Sequence, residues 1–182
     1  MNLTVNKMAF IMPGIKRQAA LDYGGLLNYY PEKFGITTLK RKAAFIAQLA
    51  HESNALLYTK EIWGPSRYQA AYEGRKDLGN IYAGDGKKFL GRGLIQITGR
   101  ANYEAFGRDF FNKPDLFIKH PEKIEQPYYA VLSAVWFWWK NNLNKYADAN
   151  AFAALTKKIN PAKLGLNDRV QYWEKAKIAL SV

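Results

Sequence analysis

The chain predicts a mainly helical fold with one small irregular β-lobe, and three observations carry that reading. Ala43, Ile46, Leu49 and Ala50 follow an i, i+3, i+4 rhythm between residues 39 and 53, the pattern of a helix with one buried face. From 54 to 100 the rhythm disappears and glycine recurs at 64, 74, 79, 84, 86, 91, 93 and 99. From Tyr103 onward the helical pattern returns.

Taken in order, Pro13-Gly14 precedes a first helix over 15–28, and Pro31 and Gly35 break the chain after it. Thr37 or Thr38 precedes the second helix, which carries Glu52 at its C-terminal end. In the glycine-rich segment, Lys88 to Ile97 reads as short strand material with glycine turns. A helix over 127–143 holds the run Trp136-Phe137-Trp138-Trp139. Consecutive helical residues point in different directions, so most of these rings belong to the core rather than to a sugar-stacking platform. A last helix covers 168–180, with Asn167 or Asp168 as its cap. No repeat, linker or domain boundary interrupts residues 1–182, which read as one domain. A cleft between a helical and an irregular lobe suits an extended substrate.

Composition narrows the function. Of 182 residues, 48% are hydrophobic and 15% aromatic, enough for a buried core. There is no cysteine, which excludes disulfides and thiolate metal sites, and two histidines, His51 and His120, argue against a His-rich zinc site. Lys plus Arg number 27 against 15 Asp plus Glu, a formal net charge of +12. Such a surface favours a polyanion: nucleic acid, an anionic membrane or the anionic bacterial envelope. No basic helix interleaved with exposed aromatics supports nucleic acid. The longest apolar cluster, Ala134–Trp139, is too short to span a bilayer, and the first seven residues lack the apolar core of a signal peptide. Synthesis in the cytoplasm without stable membrane insertion is expected.

Hydrolysis of a glycosidic bond commonly uses two carboxyl groups, one protonating the leaving oxygen and one activating water or attacking directly. Glu52, ending an apolar helix, suits the acid. On position alone, an ordinary surface glutamate near a helix C-terminus is the commoner reading. The partner is sought among Glu61, Glu73, Asp77 and Asp85. Asp85, between Gly84 and Gly86, suits the turn itself, and Asp77 suits a loop. Glu73, 21 residues beyond Glu52, lies off the helix on the irregular lobe. Around Gly91-Arg92-Gly93, the polar Gln96, Thr98 and Asn102 alternate with Leu94, Ile95 and Ile97, so polar groups can emerge toward a sugar or a water. Arg92 is read as a structural ion-pair partner. Trp63 and Tyr72 are the aromatic residues placed to contact sugar.

These segments resemble a known family. Ala43-Ala44-Phe45-Ile46-Ala47-Gln48-Leu49-Ala50-His51-Glu52-Ser53-Asn54 is similar to the acid-bearing helix of family 19 glycoside hydrolases, a family of plant-type chitinases and many bacteriophage endolysins. Tyr72 to Asn80 and Gly84 to Tyr103 are similar to segments of its phage and bacterial branch, in matching order and spacing. Lys158-Ile159-Asn160 and Asn167-Asp168-Arg169 add two further matches. The resemblance implies a lysozyme-like α+β fold and an inverting reaction, with Glu52 as general acid, Glu73 as general base and Thr98 holding the attacking water. It implies substrate contacts for Gln96, Asn102 and Tyr103, and lining or supporting roles for Asn160 and Arg169. It implies no cofactor and no metal.

Two departures bear on these roles. Where the family has paired glycines after Asn160, this chain has Pro161-Ala162-Lys163-Leu164. Glu61 stands nine positions after Glu52, where phage-branch members often carry an acidic residue, so Glu61 competes with Glu73 for the base. The short, basic, cysteine-free chain fits a monomeric endolysin that cuts the β-1,4 bond of peptidoglycan and leaves the host cytoplasm through a holin-type lesion. A chitinase, a lytic transglycosylase and a non-catalytic wall-binding module are the alternatives.

Overall fold

The computed structural model describes residues 2–64, 66–162 and 164–181. Eleven α-helices are named among them: α1 Val5–Ile11, α2 Arg17–Lys33, α3 Leu39–Glu52, α4 Arg67–Ala70, α5 Asp85–Lys88, α6 Arg100–Phe111, α7 Leu116–Lys119, α8 Pro127–Lys140, α9 Asn144–Asp148, α10 Phe152–Ile159 and α11 Leu166–Leu180. The chain divides into two compact units, Met1–Leu57 with Phe137–Val182, and Tyr58–Trp136. Among the described residues no helix is long and apolar enough to cross a membrane.

In the first unit α3 is the centre. Its start is fixed by Thr38, whose hydroxyl accepts from the Arg41 N–H at 3.3 Å. Arg41 then clamps Asp148 on α9 with two bonds of 2.7 and 2.5 Å, a bidentate pair. Every residue from Ala43 to Ala50 is buried, not only one face. The periodicity marks the side that would be buried first. Here α11 and α9 both pack on α3, so the helix is enclosed. Helix α2 runs through Pro31 to Lys33 rather than stopping before it. It ends where Gly35 takes the left-handed φ of 79° and the Ile36 N–H returns to the Pro31 carbonyl at 3.0 Å. Helix α11 begins at Leu166, so Gly165 caps it and Asp168 lies in its first turn. The cap expected at Asn167 or Asp168 is therefore corrected: the left-handed Gly165 starts the helix earlier, and the Asp168 carboxylate turns to a neighbour instead.

The second unit carries an aromatic core around Phe106, stacked on Phe117 at 4.7 Å and 5.7 Å from Trp136. Trp136 and Trp138 are buried and Trp139 is exposed, so the tryptophan run is mostly core. The expected strand over Lys88–Ile97 is not formed. Arg92 makes isolated antiparallel bridges to Lys60 and Ile97, and no ladder extends from them. Gly93 at φ 80° and Gln96 at φ 55° turn the chain back within four residues, which leaves no room for a longer pairing. Order here comes from side chains bonding to backbone. Asp85 is one example: it accepts from the Tyr82 N–H at 3.1 Å and pairs with Arg100 at 2.8 and 2.6 Å.

Candidate active site

Glu52 closes α3, and its environment is built by the same helix. Gln48 lies one turn earlier on the same face. Arg169, fully buried on α11, serves both residues: Nη2 donates to Glu52 Oε1 at 2.5 Å and Nη1 to Gln48 Oε1 at 2.5 Å. Its Nε donates to the Leu164 carbonyl at 3.2 Å. Gln48 passes its amide to Thr156 at 2.8 Å, so the polar chain is satisfied inside the unit. A buried, bonded guanidinium fixes one oxygen of a carboxylate whose side chain is 18% exposed.

The chain leaves α3 under strain. Asn54 sits where a Schellman turn usually has glycine, with the Ala55 N–H bonded to the Ala50 carbonyl at 2.7 Å and the Asn54 N–H to the His51 carbonyl at 3.2 Å. Ala55 and Leu56 follow at φ 56° and 62°, also left-handed. Each costs roughly 1–2 kcal/mol for an L-residue. Ser53 holds the bend, donating to the Leu49 carbonyl at 2.6 Å and accepting from the Leu56 N–H at 3.0 Å.

In the second unit the best-organised carboxylate is Glu61. Its Oε2 accepts from the Gly91 N–H at 3.0 Å, and its own N–H bonds the Gly91 carbonyl at 2.8 Å. Its Oε1 accepts from Gln69 at 3.0 Å and from the Tyr72 hydroxyl at 3.3 Å. Burial, then the charge and hydrogen bond of Glu61, raise the Tyr72 phenol above its ordinary pKa, so the ring stays a donor. Trp63 lies 6.4 Å from the Tyr72 ring. A Cβ on Gly91 would come within 2.9 Å of Gln96 Oε1 and 3.3 Å of Glu61 Oε2. Glycine at 91 thus lets both side chains approach the backbone. Gln96 and Thr98 are half-exposed between the buried Ile95 and Ile97, which matches the expected alternation. Thr98 donates to the Gln96 carbonyl at 3.1 Å, and Asn102 donates to the Thr98 carbonyl at 2.8 Å.

Glu73 is differently employed. Its Oε1 accepts from the Gly84 N–H at 2.6 Å and its Oε2 from the Gly86 N–H at 2.8 Å, at the N-terminal end of α5. Both oxygens anchor that turn. Tyr103 is a correction: expected to contact substrate, it is fully buried, donating to the Leu90 carbonyl and accepting from Arg92 at 3.0 Å. The packing of α6 turns its ring inward, so it braces the segment carrying Gly91. Arg92 is the expected structural ion-pair partner, bonded to Glu125 at 2.7 Å. Asn160 caps the end of α10, and its Oδ1 accepts from the Ala162 N–H at 3.1 Å. Lys163, in the altered loop after it, lies outside the described residues. Gln69, not singled out from the sequence, was findable: Ser66-x-x-Gln69 is a capping-box spacing, and that box forms.

The family model described as chitinase class I matches residues 33–165. The chain belongs to family 19 of the glycoside hydrolases. This family 19 chain is 29% identical over 174 residues to a glycosyl hydrolase family 19 domain-containing protein of Haemophilus influenzae, covering 78% of this chain and 81% of that one. It is 36% identical over 126 residues to an Arabidopsis thaliana endochitinase, covering 68% of this chain but 41% of the plant protein. The chain thus spans most of the bacterial relative and less than half of the plant one. Chitinase C from Streptomyces griseus shares the fold with a TM-score of 0.70 at 22% identity, over 99% of this chain and 77% of that one. A class IV chitinase from Zea mays does so with a TM-score of 0.65 at 24% identity, over 100% and 92%.

Proposed function

We propose that this family 19 protein hydrolyses β-1,4 glycosidic bonds with inversion, Glu52 acting as general acid and Glu61 as general base. The observation that carries the reading is the Glu52 carboxylate, part-buried and held on one oxygen by the buried Arg169. With Oε1 fixed, Oε2 carries the proton that goes to the leaving oxygen as the C1–O bond breaks. The base takes a proton from the water that attacks C1 from the opposite face, and the new reducing end is the opposite anomer. Glu61 is preferred to Glu73 because it lies half-exposed among Tyr72, Gln69, Gln96 and Trp63, groups suited to sugar or water. Glu73 spends both oxygens on backbone N–H groups, whereas Glu61 gives one oxygen to the Gly91 N–H and the other to the side chains of Gln69 and Tyr72. Thr98, Gln96 and Asn102 are proposed to position water and the N-acetyl sugar.

The substrate proposed is bacterial peptidoglycan, cut by an endolysin that acts as a monomer. Support comes from the net charge of +12, which suits an anionic wall. A specific observation favours a second reading: curated relatives are endochitinases, so chitin oligomers are the alternative. Purified protein is assayed on permeabilised Gram-negative sacculi and on chito-oligosaccharides, with product anomers followed by NMR. Glu52→Gln and Glu61→Gln each lose activity by roughly 10²–10⁴ with the fold retained. Anhydro products, a retained anomer, or normal turnover by Glu52→Gln would overturn the mechanism. Chitin cleavage without wall lysis would transfer the substrate assignment to the second reading.

A further inference from the structure

Beside the Glu52–Arg169 bond stands a second bond joining the same two helices. His51 Nδ1 lies 2.6 Å from Asp168 Oδ2. The two bonds are in parallel: residues 51 and 52 at the end of α3 meet 168 and 169 in the first turn of α11. A carboxylate only accepts, so Nδ1 of His51 donates and the imidazole is held in one orientation. The opposite side of the ring is closed by backbone. A Cβ on Gly165, the cap of α11, would fall 2.0 Å from His51 Cε1 and 2.5 Å from Nε2. Gly165 also takes a φ of 69°. Glycine is therefore required twice, by its backbone angle and by the ring that lies against it.

This arrangement does something a lone ion pair would not. Arg169 has a long side chain, and it must present Nη2 to Glu52 while Nη1 and Nε reach Gln48 and the Leu164 carbonyl. The direction of its fork depends on where the first turn of α11 sits relative to the last turn of α3. His51, wedged between Asp168 and Gly165, fixes that offset one residue away from the pair it controls. Leu164, the carbonyl partner of Arg169, immediately precedes Gly165, so the same wedge sets the backbone that receives Nε.

We propose that His51, Asp168 and Gly165 form a positioning clasp that sets the Arg169 guanidinium on Glu52. The clasp touches no reacting atom. It acts through Arg169, and it rests on the assignment of Glu52 as the acid.

The test compares His51→Ala, Asp168→Ala, Gly165→Ala and the double variant His51→Ala/Asp168→Ala, with His51→Asn as the conservative replacement. Asparagine retains a donor close to the Nδ1 position. On chito-oligosaccharide, the three single alanine variants should each lower kcat by roughly tenfold or more and leave KM within about threefold, because orientation of the acid is lost while sugar binding is not. The double variant should be no worse than either single one, since both remove one bond. His51→Asn should recover most of kcat. A crystal structure of His51→Ala should show Arg169 Nη2 drawn away from Glu52 Oε1, a readout independent of turnover and one that also decides if the enzyme proves inactive on that substrate. An Arg169–Glu52 bond unchanged in that structure would overturn the proposal. So would a kcat within twofold of the parent in His51→Ala or in Gly165→Ala, or singles whose effects multiply in the double variant. Glu52→Gln run alongside separates the two readings. If it keeps its activity, the acid assignment fails. If it is inactive while His51→Ala turns over normally, only the clasp fails.

Discussion

Replacing Glu73 by glutamine separates an anchoring carboxylate from a catalytic one. The Glu73 carboxylate accepts from the Gly84 and Gly86 N–H groups at 2.6 and 2.8 Å, where α5 begins. Glutamine keeps one acceptor oxygen and places an amide N–H₂ against the second backbone donor, so one of the two bonds is lost. A bond to a charged acceptor contributes about 1.5–3 kcal/mol when well shielded. Glu73 is exposed, and solvent screening lowers the loss to about 1 kcal/mol. For a chain of this length that corresponds to a fall in Tm of about 2–4 °C. Turnover should fall by no more than about fivefold, through a looser Gly84–Gly86 turn. Glu61→Gln should show the reverse, a loss of about 10²–10⁴ in kcat from removal of the proposed base. Thermal unfolding by circular dichroism and reducing-end release on the same preparations decide the matter. A Glu73→Gln protein with unchanged Tm and a loss beyond about a hundredfold in kcat would refute the reasoning and return the base to Glu73.

Other outcomes follow from the same geometry. Arg169→Lys keeps a positive charge but not the planar fork that serves Glu52, Gln48 and Leu164. It should lower stability by about 2–3 kcal/mol and kcat by roughly ten- to a hundredfold, measured by urea unfolding and initial rates. Tyr103→Phe removes the hydroxyl that donates to the Leu90 carbonyl and one acceptor of Arg92, which keeps its bonds to Lys88 and Glu125. It should destabilise by about 1–3 kcal/mol with kcat/KM within about threefold, since the ring does not reach substrate. Asp85 titrates below its ordinary range, first because of its hydrogen bonds from Arg100. A folded pKa below the unfolded one adds stability that is complete above the unfolded value, near pH 4, and is lost as the pH falls toward the folded value. Unfolding followed between about pH 5 and pH 2 should therefore lose less stability on acidification in Asp85→Asn than in the parent chain. An identical acid dependence in the two proteins would show that the Asp85–Arg100 pair is not responsible.

Sequence alone determined what short-range physics controls. The rhythm of Ala43, Ile46, Leu49 and Ala50 with Thr37 or Thr38 ahead of it defined α3, because one turn of helix repeats every few residues and a capping hydroxyl acts within three. It likewise put Glu52 at the end of that helix, and Gln96 and Thr98 on the open side of Ile95 and Ile97. The helices α1, α4, α5, α7, α9 and α10 were not legible, being too short for a period to show against the background of the chain. The tertiary structure decided how each carboxylate is employed. Whether a glutamate oxygen meets a backbone N–H, a phenol or a guanidinium depends on groups far away along the chain. Arg169 reaches Glu52 across 117 residues, and Gly91 reaches Glu61 across 30. Tyr103 shows the same limit, for its burial is a property of how α6 packs and not of the residues on either side of it. Glu73 and Glu61 sit in comparable polar stretches of sequence. What distinguishes them is the kind of partner: Glu73 meets only the backbone N–H groups of Gly84 and Gly86, whereas Glu61 meets one backbone N–H and the side chains of Gln69 and Tyr72.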